Sequence, residues 1–343
     1  MAETRLGPIA LDHADRLLAA GVRPPGWADA IVEPEILGVA AMREGIYDDG
    51  ITILIEARHD GDEPHTVGVY IDHNLGGLAK DILMAESIAS VAAIVAAEAD
   101  RHEIRVEPMD PGEACERIHD AIEYTDTCFD APVGEDFQAL RALALLRAAD
   151  LPGPFPGGVG EPEISAAERD ALRDDLLAAP EGKNLAPDSD VAFVASLAID
   201  YACDYPTGGP LRWSPVGVEL FMVDWLPRKV LADRATFEAV PAALEAWVRY
   251  AGRRRGIPGW AIEETVASIG EWTSELLDRI DDPARGGTRP AVTAFAFGRT
   301  ASNAPPAPRR RWNGRRRPSR CADAASRSSS AHGWDRRASR SPS

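Results

Sequence analysis

The sequence lacks the short motifs that identify a catalytic chemistry by themselves. It contains no Gly-x-Ser-x-Gly, no His-Glu-x-x-His and no Gly-x-Gly-x-x-Gly pattern. Its four cysteines show neither Cys-x-x-Cys nor zinc-ligand spacing. These absences argue against a zinc enzyme, a dinucleotide-binding fold and a serine hydrolase with a nucleophile elbow, and we expect neither a cofactor nor a resident metal.

Long apolar runs are also missing from the chain. The two most apolar stretches, Ile88–Ala97 and Val191–Ile199, are far shorter than the roughly 18–20 residues that span a bilayer. The first residues, Met1–Arg5, lead into a mixed polar stretch without the cationic and apolar regions of a secretory signal. We therefore predict a cytoplasmic protein without membrane association.

Aliphatic residues disappear near the end of the sequence. Residues 299–343 contain no Leu, Ile, Val or Met, and hold 12 arginines against two aspartates, a net charge of +10. Because the whole chain carries −18, residues 1–298 carry −28. Apolar side chains that would offset the entropy of ordering are missing here, so we predict a disordered tail over residues 286–343. An arginine-rich arm that contacts nucleic-acid phosphates is one interpretation. A frameshifted end of a GC-rich gene is the other, which we favour because the change is abrupt.

The hydrophobic pattern of the first half predicts an α+β domain over residues 1–150. Ile51–Ala57 and Thr66–Ile71 are β-branched runs of strand length with a turn-like connector between them, which predicts an antiparallel hairpin. Asp110-Pro111 is typical of a helix start, with a capping carboxylate before a proline. A further helix is predicted over Glu135–Ala149.

The second half is predicted to be all-α. Residues 151–163 are rich in proline and glycine and are typical of a linker, so we assign residues 164–285 to a helical domain. The helix that opens at Trp213-Ser-Pro215 is expected to end at Pro227, because proline disrupts a helix interior. From Ile262 to Ile280 the apolar residues recur in steps of four and three, which predicts a long helix whose apolar side faces the core or packs against a partner.

The densest group of polar residues lies just after the second predicted strand. Asp72 and His73 are candidates for an acid–base or metal-ligand pair, Lys80 for an anion contact, and Asp81 for a further carboxylate. Two further histidines lie on the neighbouring strand or turn: His59 and His65.

A purely structural interpretation accounts for the same segment. Asp72 and Asn74 are residue types that bond the local backbone in turns, and Gly76 and Gly77 can adopt positive φ. We favour this turn over a catalytic site.

A second candidate binding site is a group of four arginines, Arg249, Arg253, Arg254 and Arg255, near the end of a predicted helix. Cations stabilise a helix C-terminus and Gly256 ends the helix, so ordinary capping explains the group. The alternative is a phosphate-contacting patch of a helix-turn-helix pair. Residues 1–298 carry a net charge of −28, which repels phosphate backbones, and glutamates lie near the start of the following helix. We therefore expect no nucleic-acid partner.

Several segments of the chain resemble an uncharacterised protein family of high-GC bacterial genomes. The resemblance rests on these segments: Asp72–Asp81, Trp213–Pro215, Val223–Val230, Ala246–Arg249 and Ala251–Arg255. It covers residues 45–285 approximately and implies no catalytic role, because that family has no assigned activity. It also implies an apolar, helical C-terminus where this chain becomes arginine-rich.

Three functions remain open from the sequence. The first is a binding or accessory interaction protein without its own catalysis, whose helical half offers a surface to a protein partner. The second is a metal-dependent hydrolase or nuclease that uses the region of Asp72 and His73. The third is nucleic-acid binding through Arg253–Arg255. We favour the first.

Overall fold

The structure is a computed structural model that describes residues 16–17, 19–22, 34–59, 63–97, 103–128, 130–153, 163–185 and 189–281. In this part of the chain a sheet with associated helices comes first and a helical half follows, which confirms the α+β prediction. The tail 286–343 and most of the linker 151–163 lie outside the described residues. The disorder, the frameshift and the domain boundaries therefore stay predictions.

The first half is built on a five-stranded antiparallel sheet with the strand order β4-β3-β2-β1-β5. The strands are β1 (Glu35–Arg43), β2 (Gly50–Arg58), β3 (His65–Asp72), β4 (Leu78–Ala85) and β5 (Arg105–Pro108). The predicted hairpin is confirmed as the antiparallel pair β2–β3, in which Ile53 lies opposite Val69 and Ile55 lies opposite Val67. All four side chains are at most 1% exposed and point to one face of the sheet.

Two helices cover that apolar face. They are α2 (Pro111–Thr127) and α3 (Phe137–Ala149), while α1 (Ile88–Ala97) lies against the opposite face. As expected, Asp110 caps α2, because its side chain accepts a hydrogen bond from the Glu113 amide at 3.0 Å. The buried side of α2 includes Ala114, Ile118 and Ile122, which pack into the core of the sheet.

The second half forms a separate hydrophobic core made of helices. These are α4 (Ala166–Ala178), α5 (Asp190–Asp204), α6 (Pro215–Glu219), α7 (Leu226–Lys229), α8 (Arg234–Glu238), α9 (Val240–Arg255) and α10 (Gly259–Asp281). Trp247, Leu244 and Phe221 are fully buried at the centre of this core. The long core-facing helix predicted from the sequence is confirmed as α10, which buries Ile269 and Leu276 against it.

The prediction that Pro227 ends its helix is wrong. The chain passes from α6 through a π-helical turn, Leu220–Trp225, into α7, and Pro227 lies in the first turn of α7. Proline has no amide hydrogen to donate to the carbonyl of Val223, four residues before it, and that carbonyl accepts a hydrogen bond from Arg279 Nη1 at 2.9 Å. The wider π-helical turn changes the backbone register before the proline and lets the helical path continue to Lys229.

None of the helices within the described ranges has the length and apolarity needed to cross a membrane.

Two glycines in the helical half give opposite expectations for the same substitution. A Cβ on Gly182, in the turn after α4, would lie 2.0 Å from the Leu176 carbonyl oxygen, so Gly182→Ala should destabilise the fold by about 1–3 kcal/mol. Gly270 is exposed within α10, with no described atom within 4 Å of such a Cβ, so Gly270→Ala should stabilise it by about 0.5–1 kcal/mol. Urea unfolding checks both; equal effects of the two substitutions would contradict this packing.

Candidate functional site

The Asp72–Asp81 segment forms the turn that the sequence favours. The strand ends at Asp72, a short 3₁₀ helix covers His73–Leu75, and the Asp72 side chain accepts a hydrogen bond from the Asn74 amide at 2.9 Å. Gly76 and Gly77 follow with φ of +74° and +81°, in the left-handed region that glycine adopts without strain. The predicted turn chemistry is therefore confirmed.

This turn meets the helical half at a buried arginine. The Arg212 side chain is 1% exposed, and all three nitrogens of its guanidinium group donate hydrogen bonds. Nη1 bonds an Asp49 carboxylate oxygen at 2.8 Å, Nη2 bonds the Asn74 side-chain oxygen at 3.0 Å, and Nε bonds the Thr207 carbonyl at 2.7 Å. One side chain of the helical half therefore holds both the β1–β2 loop and the turn after β3.

His73 is bonded on the same loop. Its amide donates to the Asp49 carbonyl at 2.9 Å, and its ring Nδ1 lies 2.9 Å from the Asp48 carbonyl oxygen. A carbonyl only accepts, so Nδ1 carries a proton and Nε2 holds the lone pair of the neutral ring. Burial, assisted by the Arg212 cation, lowers the pKa of His73 despite the opposing effects of Asp48 and Asp72.

Asp72 is paired with Lys80, and Asp81 is not part of the group. The buried Asp72 carboxylate accepts from Lys80 Nζ at 3.1 Å through the oxygen that does not bond the turn. Tyr70 pairs with Asp81 and Ile71 with Ala79, which leaves Lys80 as an extra residue of β4. Asp81 is exposed, and its carboxylate accepts from the Ile82 amide at 2.9 Å. The structure therefore brings together three of the four candidate residues.

The arginine group is connected to the same place through Arg255. Its guanidinium donates to the Tyr47 carbonyl at 3.2 Å and lies 3.4 Å from an Asp48 carboxylate oxygen. The single proton of the Tyr47 hydroxyl lies between two acceptors, the Ala261 carbonyl at 3.0 Å and the Glu264 carboxylate at 2.8 Å from its oxygen. Burial and the Glu264 carboxylate raise the pKa of Tyr47, so its hydroxyl keeps the proton that it donates. We call Asp48, Asp49, Asp72–Asn74, Lys80, Arg212 and Arg255 the polar junction.

The other three arginines are held by carboxylates of the helical half. Ion pairs join Arg249 to Glu263 at 2.9 Å, Arg253 to Glu181 at 2.7 Å and Arg254 to Asp175 at 3.2 Å. Glu181 follows α4 and Asp175 lies on it, so Arg253 and Arg254 connect the end of α9 to α4 and the turn after it.

The two histidines proposed as helpers of Asp72 lie elsewhere. His65 begins β3 and Asp72 ends it, so roughly 20 Å of extended chain separates them. His59 and His65 stack on each other at 5.5 Å between ring centroids. Their Nε2 atoms lie 3.0 Å and 3.3 Å from guanidinium nitrogens of the buried Arg147 on α3. This second polar group therefore connects α3 to the hairpin and does not contribute to the polar junction.

Sequence reasoning missed the residues that organise the polar junction. Asp48, Asp49 and Arg212 belong to neither of the two candidate sites that the sequence indicates. The Arg212–Asp49 pair joins positions 163 residues apart, which no local pattern indicates. One weak signal exists beside Arg212: a Cβ on Gly208 would lie 2.8 Å from the Arg212 side chain, so the glycine there makes room for it.

The chemistry available at the polar junction is limited by these bonds. Both Asp72 oxygens accept hydrogen bonds, and His73 Nδ1 is committed to a carbonyl. Among the residues that the structure describes, no three His, Cys, Asp or Glu side chains are grouped as a metal ion would require. These bonds are better suited to holding the two cores together than to binding and converting a substrate.

Comparisons of the chain with models of known protein families, with curated proteins and with solved structures found no match. The resemblance to the bacterial family therefore stays a prediction.

Removing the Arg212 cation should destabilise the protein strongly. Arg212→Met leaves the buried Asp49 carboxylate without its partner, and we expect a loss of about 3–5 kcal/mol in the free energy of unfolding. Adding Asp49→Asn to this variant should recover part of the loss. The matched control is Arg234→Met, which removes two exposed, solvent-screened ion pairs and should change the stability far less. Equal losses for the two arginine variants would contradict a buried joint.

The lowered pKa of His73 makes stability depend on pH in a defined direction. The unfolded ring titrates near 6.5 and the folded ring titrates lower, so the unfolded state binds more protons as the pH falls. The stabilisation is therefore complete above about pH 6.5 and is lost below it, by up to about 1.4 kcal/mol per pH unit. His73→Asn keeps a donor for the Asp48 carbonyl but cannot titrate. Unfolding measured from pH 7.5 to 5.0 should show a smaller loss in this variant; an identical loss would contradict the buried neutral ring.

Proposed function

We propose that this protein acts by binding a protein partner and has no catalysis of its own. The observation that carries the proposal is the bonding of the polar junction. The sequence offers Asp72, His73 and Lys80 as candidate catalytic residues. In the structure, Asp72 bonds Lys80 and the Asn74 amide, and His73 bonds the Asp48 carbonyl of the adjacent loop. Their role is then to hold the turn of the sheet against the helical half.

A metal-dependent hydrolase is the alternative that this bonding disfavours. Such an enzyme needs carboxylate oxygens open to a metal and a base with a lone pair aimed at substrate. At Asp72 both oxygens are engaged, one of them by the Lys80 ammonium group, whose positive charge would also repel a divalent cation.

Nucleic-acid binding through Arg253–Arg255 is disfavoured for a similar reason. A phosphate would have to displace the carboxylates of Glu181, Asp175 and Asp48 from these arginines. It would also approach a protein in which residues 1–298 carry a net charge of −28, which repels a phosphate. The negative charge of residues 1–298 supports recognition of a partner with positive charge. The cytoplasmic location is part of this proposal and rests on the sequence alone.

Titration with Mn²⁺ and Zn²⁺ by calorimetry, and hydrolysis of bis(p-nitrophenyl) phosphate, test this proposal directly. We expect no stoichiometric heat and no turnover above buffer in the full chain. Asp72→Ala and His73→Ala should lower stability, whereas Asp81→Ala, which removes an exposed carboxylate outside the polar junction, should leave it nearly unchanged. Tight metal binding or turnover that Asp72→Ala abolishes and Asp81→Ala retains would establish the hydrolase instead.

A further inference from the structure

The helical half has a groove between α4 and α5. Its volume is about 470 Å³, within the range of about 300–1,000 Å³ that ligand-binding clefts have. The partly exposed Leu177 and Ala192 form its apolar floor, above the buried side chains of Leu176, Ala195 and Ile199. Phe193 stands at the edge and is 47% exposed. An aromatic side chain beside an apolar floor is the arrangement in which grooves bind the apolar face of a helix.

The borders of this groove are acidic. Helix α4 carries four carboxylates and two arginines, and α5 carries three carboxylates and no cation, so the two helices have a net charge of −5. Asp174 and Asp190 line the groove. The lining cation Arg173 is already bound by Asp170 and Asp200, each at 2.6 Å. The field at the groove is therefore negative, in the same sense as the field of the whole body.

Ion pairs hold the two helices that form the groove in position. Arg254 of α9 pairs with Asp175 on the side of α4, and Arg253 pairs with Glu181 in the turn after α4. Arg169 of α4 pairs with Asp204 of α5 at 2.6 Å. A groove whose walls are fixed by such contacts loses little conformational entropy on binding, which favours affinity.

We infer that this groove binds a basic amphipathic helix of a partner protein. Its apolar face would lie on Leu177 and Ala192 with a large side chain against Phe193, and its lysines or arginines would face Asp174 and Asp190. The inference rests on the proposed function and specifies the class of partner. Charge complementarity selects a basic helix over an acidic one, and the apolar floor selects an amphipathic helix over a polar peptide.

The test uses the full chain and two synthetic peptides of 14 residues. One is a fluorescein-labelled peptide with leucine at helical spacing and lysine elsewhere, and the other replaces every lysine with glutamate. Fluorescence anisotropy should show binding of the basic peptide and at least about tenfold weaker binding of the acidic one.

Two pairs of variants test whether the basic peptide binds in the groove. Phe193→Ala should weaken the basic peptide about tenfold or more, whereas Leu231→Ala, which truncates a 57% exposed leucine outside the groove, should not. Asp174→Lys should weaken it about threefold to tenfold more than Glu271→Lys, which makes the same change of net charge on α10.

Three outcomes would overturn the inference. They are no binding of the basic peptide at 100 µM protein, equal effects of the groove variants and their controls, or a concentration-dependent dimer that Phe193→Ala dissolves. The last would assign the groove to a second copy of the chain. None of them would restore a catalytic role to Asp72, because the metal and phosphodiester assays test that role independently.

Discussion

The contact between Arg212 and Asp49 is the interaction on which the rest of the structure depends. Both side chains are buried, and a buried charge is costly unless it is paired and its remaining hydrogen-bonding groups are satisfied. Here the other two guanidinium nitrogens bond Asn74 and Thr207. The sheet's β1–β2 loop supplies Asp49 and the helical half supplies Arg212. Each charge is therefore paired only when both parts are folded and in contact.

These contacts explain why the candidate site is polar: its charged groups bond one another across the two halves. His73 donates from Nδ1 to the β1–β2 loop, and burial lowers its pKa and so favours the neutral ring. The Lys80 ammonium group balances the charge of the Asp72 carboxylate. Arg255 adds a second contact between the halves through Asp48. The groove between α4 and α5 lies outside the polar junction and is the surface to which we assign partner binding.

Features with local signals could be predicted from the sequence. The hairpin follows from β-branched runs around a turn, the start of α2 from Asp110 before Pro111, and the buried face of α10 from its apolar steps. The turn after β3 follows from the turn-forming chemistry of Asp, Asn and Gly. The sequence alone therefore predicted a structural role for Asp72. The path through Pro227 could not be predicted, because the π-helical turn before it leaves no mark that propensity can detect.

The polar junction itself was beyond sequence reasoning for a physical reason. Asp48 and Arg255 are 207 positions apart, and Arg212 and Asn74 are 138 apart, so only the packing of the two cores brings them together. The same holds for Arg147, whose neighbours His59 and His65 are on the hairpin. Acidic turns and single arginines are common in any sequence, and nothing local marks which of them become buried.

Hydrogen exchange of β3 and α9 in increasing denaturant tests most directly whether the polar junction makes the two cores unfold together. In the full chain, the slowest amides of His65–Asp72 and of Val240–Arg255 should share one opening free energy, because the buried Asp49 and Arg212 charges are paired only when both cores are folded. In Arg212→Met the two values should separate by at least about 1 kcal/mol. Separate opening energies in the unsubstituted chain, or a single shared value in the variant, would contradict the account.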